Sequence, residues 1–110
     1  MTMEQAFQKA QGLLGLSARA GQLVFGESGC VGAIRADKAA LVLVDESASD
    51  NSKKRYQDAC RSHGCAMVFL PEGLLSQAVG RSGRMACVCA PGPLAQRLKE
   101  VLANHILVLS

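Results

Sequence analysis

Three short apolar segments constrain the fold of this 110-residue chain more than any other feature. Residues 39–44, 66–70 and 85–89 are continuous apolar runs, without the alternation of polar and apolar side chains typical of a half-exposed strand. Strands of this kind are buried on both faces and need helices on each side of the sheet. We therefore predict an α/β fold, a three-layer α/β/α sandwich.

The segments around these strands carry apolar residues at helical spacing. The first predicted helix covers residues 3–14 and ends at Gly15, and Ser28 is the expected cap of a second helix that ends near residues 37–38. The intervening residues 22–25 predict a short extended piece that ends at Gly26.

The second half of the chain contains three more predicted helices. One starts at residues 49–52 with a basic cluster close behind it and ends at Gly64. A short one follows Pro71 and ends at Gly80, and the last begins within residues 91–93. The terminal residues 106–109 are apolar, and their structure is ambiguous from sequence.

Composition limits the class of protein. Hydrophobic residues make up 49% of the chain and charged residues 19%, which predicts a folded protein, and the length favours one domain over residues 1–110. No apolar run approaches the ~20 residues needed to cross a bilayer, and no signal peptide is evident, so we expect a cytoplasmic protein that does not contact membranes. The net charge of +3 permits an anionic partner without requiring one.

The cysteines raise the question of a metal or a catalytic thiol. Their number is odd and no export signal is present, so reduced thiols are expected rather than disulfides. A zinc site is conceivable, but no C-x-x-C pair occurs, and burial as small apolar side chains is the favoured interpretation. The candidate ligands are Cys60, Cys65, Cys87, Cys89 and His63, and a nucleophilic thiol is no better supported, because neither His63 nor His105 has a sequence context that places it beside a cysteine.

The chain also lacks the motifs of common enzyme classes. There is no phosphate-binding G-x-x-x-x-G-K-[ST] loop, no G-x-S-x-G elbow and no dinucleotide-binding G-x-G-x-x-G after a strand, and the carboxylates occupy surface-like positions. We expect no enzymatic activity, no metal and no cofactor.

Two glycine-rich turns are the more informative features. Residues 26–29 open the second helix, and residues 80–84 form a basic turn before the third apolar strand. A helix start offers free N–H groups and a partial positive charge, so glycines there allow a phosphate or a base edge to approach the backbone. The alternative is that the glycines only satisfy turn geometry and the arginines are solvated.

Four stretches of sequence add a resemblance to a known family. They are LLGLSARAG at 13–21, GE at 26–27, AIRADKAALVLVDESASDNSKK at 33–54 and LLSQAVG at 74–80. In this order and spacing they resemble the kink-turn RNA-binding ribosomal-protein family, the L-seven-Ae/L-thirty-e group, and in particular its small bacterial YlxQ-like branch. The resemblance spans residues 7–102.

The resemblance implies both a fold and a mechanism. The implied fold is the same sandwich around a four-stranded mixed sheet, with residues 23–25 as the extra short strand. The implied mechanism places the second helix in the widened groove of a sharply bent RNA, where it reads sheared G·A pairs, while the loop before the last strand supports a flipped-out nucleotide. Such recognition suits RNA, because the narrow major groove of a regular A-form duplex excludes side chains.

The family signature, G-x-N-E-x-x-K, falls on residues 26–32, and only its first glycine is present here. Ser28 replaces the asparagine, Gly29 the glutamate and Gly32 the lysine. Backbone N–H donors and nearby arginines could partly compensate, although phosphate contacts carry little sequence information.

The sequence thus predicts a non-catalytic RNA-binding protein that recognises kink-turn or similarly bent RNA, with ribosomal RNA and ribosome association among its expected contexts and no DNA partner. The alternative is a protein-interaction module on the same scaffold that has lost specific RNA recognition. Oligomeric state is open. The expected binding face comprises residues 26–32, 45–48 and 81–85, and its candidate residues are Gly26, Glu27, Ser28, Gly29, Gly32, Arg35, Glu46, Arg81, Ser82 and Arg84.

Overall fold

A computed structural model of the chain describes residues 2–108. Helices and strands alternate along the chain in the predicted order. Their bounds are α1 Met3–Arg19, β1 Leu23–Phe25, α2 Glu27–Arg35, β2 Leu41–Asp45, α3 Asp50–His63, β3 Ala66–Leu70, α4 Leu74–Val79, β4 Ala86–Cys89, α5 Pro93–Val101, a 3₁₀ turn Ala103–His105, and β5 Leu107–Val108.

The strands form one mixed sheet in the order β1-β4-β2-β3-β5. The pair β2 and β3 is parallel, and the other neighbours are antiparallel. The predicted α/β class and the mixed sheet of β1 to β4 are confirmed. The ambiguous C-terminal segment adds a two-residue strand beside β3, and its residue 109 lies outside the described part of the chain.

Helices cover both faces of the sheet, as the apolar runs predict. Leu41 and Leu43 of β2 face a core built with α1, α4 and α5. The alternate residues Val42 and Val44 face a second core built with α2 and α3. All four are fully buried, because a strand in the middle of a sandwich has no side left for solvent.

The first helix differs from its predicted length. It continues through Gly15 to Arg19, so the interpretation of Gly15 as a helix end was wrong. A Cβ at Gly15 would lie 3.0 Å from the carbonyl oxygen of Ala78. Glycine at this position therefore lets α1 and α4 approach closely, and it does not interrupt the helix.

The N-terminal caps of α2 and α3 differ in whether a side chain forms a capping hydrogen bond. Ser28 does not cap α2; the cap position is Gly26, at a φ of 87°, where a side chain would be strained. For α3 the prediction is confirmed, since the Ser49 side chain accepts a bond from the Ser52 N–H at 3.2 Å and Gly64 ends the helix in a left-handed conformation.

Between residues 2 and 108, the helices are too short or too polar to traverse a lipid bilayer.

Candidate functional site

The sheet topology brings the predicted turns to one edge. Phe25 at the end of β1 pairs with Cys87 of β4, and Val44 near the end of β2 pairs with Ala86 at the start of β4. Both neighbours run antiparallel to β4, so the carboxyl ends of β1 and β2 lie beside its amino end. The start of α2, the turn after β2 and the loop before β4 therefore lie side by side.

The start of α2 and the loop before β4 enclose a cleft. Its volume is about 190 Å³, and its lining includes Gly26 and Glu27 from one side and Gly83, Arg84 and Met85 from the other. Gly83 has a φ of 75°, a backbone conformation that glycine adopts without strain. The two glycine-rich turns singled out in the sequence thus form the opposite walls of one opening.

Arg84 is the most firmly positioned cation of this cleft. Its guanidinium carbon lies 4.6 Å from the centroid of the Phe25 ring, a cation–π arrangement. Its backbone N–H donates to the Ser76 Oγ at 3.0 Å, which fastens the loop to α4. The Nε of Arg84 is buried and has no hydrogen-bond partner within the described residues.

The turn after β2 is organised by a buried carboxylate. Asp45 Oδ1 accepts bonds from the backbone N–H of Ser47 at 2.7 Å and from its hydroxyl at 2.6 Å, and Oδ2 accepts from the Gly73 N–H at 2.8 Å. Burial raises the pKa of Asp45, but the bonds from Ser47 and Gly73 outweigh burial and leave the pKa below its ordinary value. The expectation that carboxylates occupy surface positions is wrong for Asp45, which is fully buried.

Asp45 also ties its turn to the loop before β4. Its backbone N–H donates to the carbonyl of Met85 at 2.7 Å, and the next residue, Glu46, donates its N–H to Leu70 at 2.9 Å. The Glu46 side chain remains exposed. The one available sequence signal was an aspartate at the end of an apolar strand with a serine two residues later, the pattern of an Asx-turn.

Part of the exposed face of α2 carries small side chains or none. Ser28, Gly29 and Gly32 are exposed, and a Cβ at Gly32 would meet nothing within 4 Å. A Cβ at Gly29 would lie 3.2 Å from the Cγ1 of Val24, so a larger residue there must displace that side chain. The close approach of α2 to β1 thus gives a packing reason for glycine at the position where the family signature has glutamate.

The remaining candidates lie farther from the cleft. Arg35 is at the opposite end of α2, about 12 Å from Glu27 at the 1.5 Å rise of a helix. Arg81 and Ser82 are exposed, and the Arg81 N–H donates to the Ser76 carbonyl at 3.1 Å. The structure therefore brings Gly26, Glu27 and Arg84 together directly and leaves the other arginines at the periphery.

Two cations on α3 also reach this region, and the sequence interpretation did not assign them to a site. Arg55 forms an ion pair with Glu27 at 3.1 Å; the Arg55 side chain is 63% exposed and the Glu27 side chain 37%. Lys54, one residue earlier, is exposed. Their position one helix away from α2 is a tertiary feature that the basic cluster in the sequence does not reveal.

The cysteines are buried in the core, as predicted, and all five are free thiols. Burial raises the pKa of each of them, and that of Cys60 reaches about 12. Within residues 2–108, no three His, Cys, Asp or Glu side chains are placed to hold a metal ion.

The fold and the converging turns define a small α/β/α protein with an open, partly cationic edge. Residues 8–92 match the model of the Ribosomal protein L7Ae/L30e/S12e/Gadd45 family. The chain belongs to this family, which confirms the resemblance. The prediction that it is not an enzyme is likewise supported by this membership and by the names of its relatives, which describe binding proteins.

Two relatives carry the same name. The chain is 34% identical over 97 residues to the RNA-binding protein YlxQ of Enterococcus faecium, covering 86% of this chain and 92% of that protein. It is 31% identical over 91 residues to the RNA-binding protein YlxQ of Bacillus subtilis (strain 168), covering 82% of this chain and 91% of that protein.

Solved structures show the same fold. A protein of unknown function from Bacillus halodurans superimposes with a TM-score of 0.77 at 28% identity, over 86% of this chain and 97% of that one. The Giardia lamblia 15.5kD RNA binding protein superimposes with a TM-score of 0.76 at 18% identity, over 96% and 91% of the two chains.

Proposed function

We propose that the chain is a non-catalytic RNA-binding protein that recognises kink-turn or similarly bent structured RNA, acts in the cytoplasm and associates with ribosomal RNA. In this proposal residues 1–110 act as one binding domain. The observation that carries it is the juxtaposition of the α2 start with the Arg84 loop around one open cleft. The relatives named as RNA-binding proteins support the choice of RNA as the partner.

The proposed binding face matches what a bent RNA offers. A widened groove admits a protein helix, which a regular A-form major groove does not. The start of α2 presents free backbone N–H groups beside a fixed guanidinium, so it suits phosphates and base edges. The candidate residues of the proposed binding face are Gly26, Glu27, Ser28, Gly29, Gly32, Arg35, Glu46, Arg81, Ser82 and Arg84.

The missing signature side chains set the expected affinity. By analogy with base recognition in DNA, each bidentate base contact is worth about 1–3 kcal/mol. Ser28 and Gly29 replace the asparagine and the glutamate, so the free energy of specific binding should be less favourable by about 2–6 kcal/mol than in a family member that has both side chains. We therefore expect micromolar rather than nanomolar binding at physiological salt, with most of the affinity from phosphate contacts.

A gel-shift titration tests this proposal. The protein is titrated against a kink-turn RNA and against a fully paired duplex of the same length and composition, at fixed salt. We expect tighter binding to the kink-turn. Equal weak affinity for both would remove the kink-turn claim and leave general RNA binding. No binding to either, together with a reproducible protein partner, would favour the protein-interaction alternative.

Ribosome association needs a separate measurement. Sedimentation of cell extract through a sucrose gradient, at low and at high salt, should place the protein with ribosomal particles at low salt and release it at high salt. Free protein at the top of the gradient under both conditions would contradict the association.

A further inference from the structure

A second cationic opening lies on α2 at the end away from the Arg84 loop. It is a groove of about 450 Å³ between α2 and α3, with Arg35 on one wall and Asn51, Lys54, Arg55 and Ser62 on the other. No sequence motif marks it, because its two walls come from different helices.

Some charged side chains of the groove form ion pairs, and others do not. Arg55 pairs with Glu27, and Asp58 on the groove wall pairs with Arg61 at 3.4 Å. Arg35 and Lys54 are exposed and form no ion pair with any residue between 2 and 108. Two cations are thus free to meet a ligand anion, with the amide of Asn51 and the hydroxyl of Ser62 as hydrogen-bonding groups nearby.

The groove is continuous with the proposed RNA-binding cleft. Glu27 lines the cleft beside Arg84 and also a middle opening, which it shares with Ser28, Gly32, Arg35 and Arg55. Arg35 and Arg55 line both that middle opening and the groove. The three openings follow one another along α2, over the roughly 12 Å from Glu27 to Arg35.

We propose that this continuous surface is a track for the phosphodiester backbone of one RNA strand leaving the bend, with Arg35 and Lys54 as its phosphate contacts. This inference rests on the proposed function. A single small anion cannot span the track, whereas a nucleic acid strand presents a charge at every nucleotide. The open space at Gly32 leaves room for the backbone to lie against the helix.

The track also accounts for the departure from the signature. The lysine that Gly32 replaces would have projected from α2 itself, whereas here the cations stand one helical turn further along at Arg35 and across the groove at Lys54. Phosphate contact is retained in a different place, and sequence-independent affinity is kept while base contacts are lost.

The test compares the salt dependence of RNA binding between two variants that each remove two positive charges. One is Arg35→Gln with Lys54→Gln in the groove. The control is Lys9→Gln with Arg97→Gln, whose residues are exposed on α1 and α5 at the other face of the sheet. Fluorescence anisotropy with the same kink-turn RNA, at several salt concentrations, gives the slope of log K against log salt.

We expect the groove variant to bind about tenfold more weakly, with a slope shallower by about 1.4–1.8, since each lost phosphate contact removes ~0.7–0.9. The control variant should keep a slope close to the unmodified protein. Arg35→Lys with Lys54→Arg keeps both positive charges and should keep the slope of the unmodified protein. Unchanged thermal melting shows that the variants remain folded.

Three results would overturn the track. Equal slopes in the groove and control variants would show that the groove makes no phosphate contact of its own, while the proposed RNA binding stands. Binding of inorganic phosphate in the groove, with an unchanged RNA slope in the groove variant, would make it a small-anion site. Failure of the unmodified protein to bind any RNA would refute the proposed function and the track with it.

Discussion

Replacing the buried carboxylate Asp45 with asparagine should destabilise the protein more than its small change in volume suggests. Asparagine can still accept at one oxygen from Ser47, but its amide then faces the Gly73 N–H, so two donors oppose each other. An unsatisfied buried donor costs about 1–3 kcal/mol, and the loss of charge from the remaining bonds adds about 1 kcal/mol. We expect Asp45→Asn to lower the free energy of unfolding by about 2–4 kcal/mol at pH 7.

The pH dependence gives this prediction a second observable. Because the pKa of Asp45 is lower in the folded state, its stabilisation is present above the unfolded pKa of about 3.9 and is lost as the pH falls through the folded value. The difference between the unmodified protein and Asp45→Asn should therefore be constant near neutral pH and should shrink below about pH 4.

Urea unfolding followed by circular dichroism, at pH 7 and at steps down to pH 3, measures both quantities. Asp58→Asn is the matched control, since Asp58 is an exposed carboxylate with a surface ion pair and should cost less than ~1 kcal/mol. An Asp45→Asn protein within about 0.5 kcal/mol of the original at pH 7, or a difference that does not change with pH, would show that the charged bonds of Asp45 do not stabilise the fold.

Gly15→Ala should destabilise the protein by about 1–3 kcal/mol in urea unfolding, because its Cβ would crowd the Ala78 carbonyl. Gly12→Ala on the same helix has free space and should stabilise the protein by up to ~1 kcal/mol. The opposite order would contradict the packing of α1 on α4. Phe25→Leu should weaken RNA binding about 2- to 5-fold in anisotropy, because Arg84 loses the ring beneath it, and an unchanged affinity would show that this contact does not position the arginine. The five buried thiols should resist a thiol reagent at pH 7 until the protein is unfolded, and rapid labelling of native protein would contradict their burial.

The sequence predicted the layers well because apolar runs report burial directly. Residues 41–45 and 66–70 are strands with helices on both sides, as their lack of polar alternation indicates. The end of α3 was also predictable, since Gly64 takes the left-handed conformation that a helix stop requires.

Local sequence patterns did not predict the features that depend on tertiary contacts. Gly15 looked like a helix end, but its role is to let α4 approach, which depends on a residue more than sixty positions away. The cationic groove was not foreseeable for the same reason, because Arg35 and Lys54 meet only after α2 and α3 pack on the sheet. The burial of Asp45 was not predicted, because its hydrogen-bond partner Gly73 belongs to a distant turn.

The most direct test of the binding face is a two-dimensional ¹H–¹⁵N NMR titration of the labelled protein with kink-turn RNA. We expect the largest shifts on amides at the three converging elements, among them Glu27, Gly29, Glu46, Gly83 and Arg84. Amides of α1 and α5, on the other face of the sheet, should change little. Shifts confined to α1 and α5, or no shifts at saturating RNA, would contradict the proposed binding face.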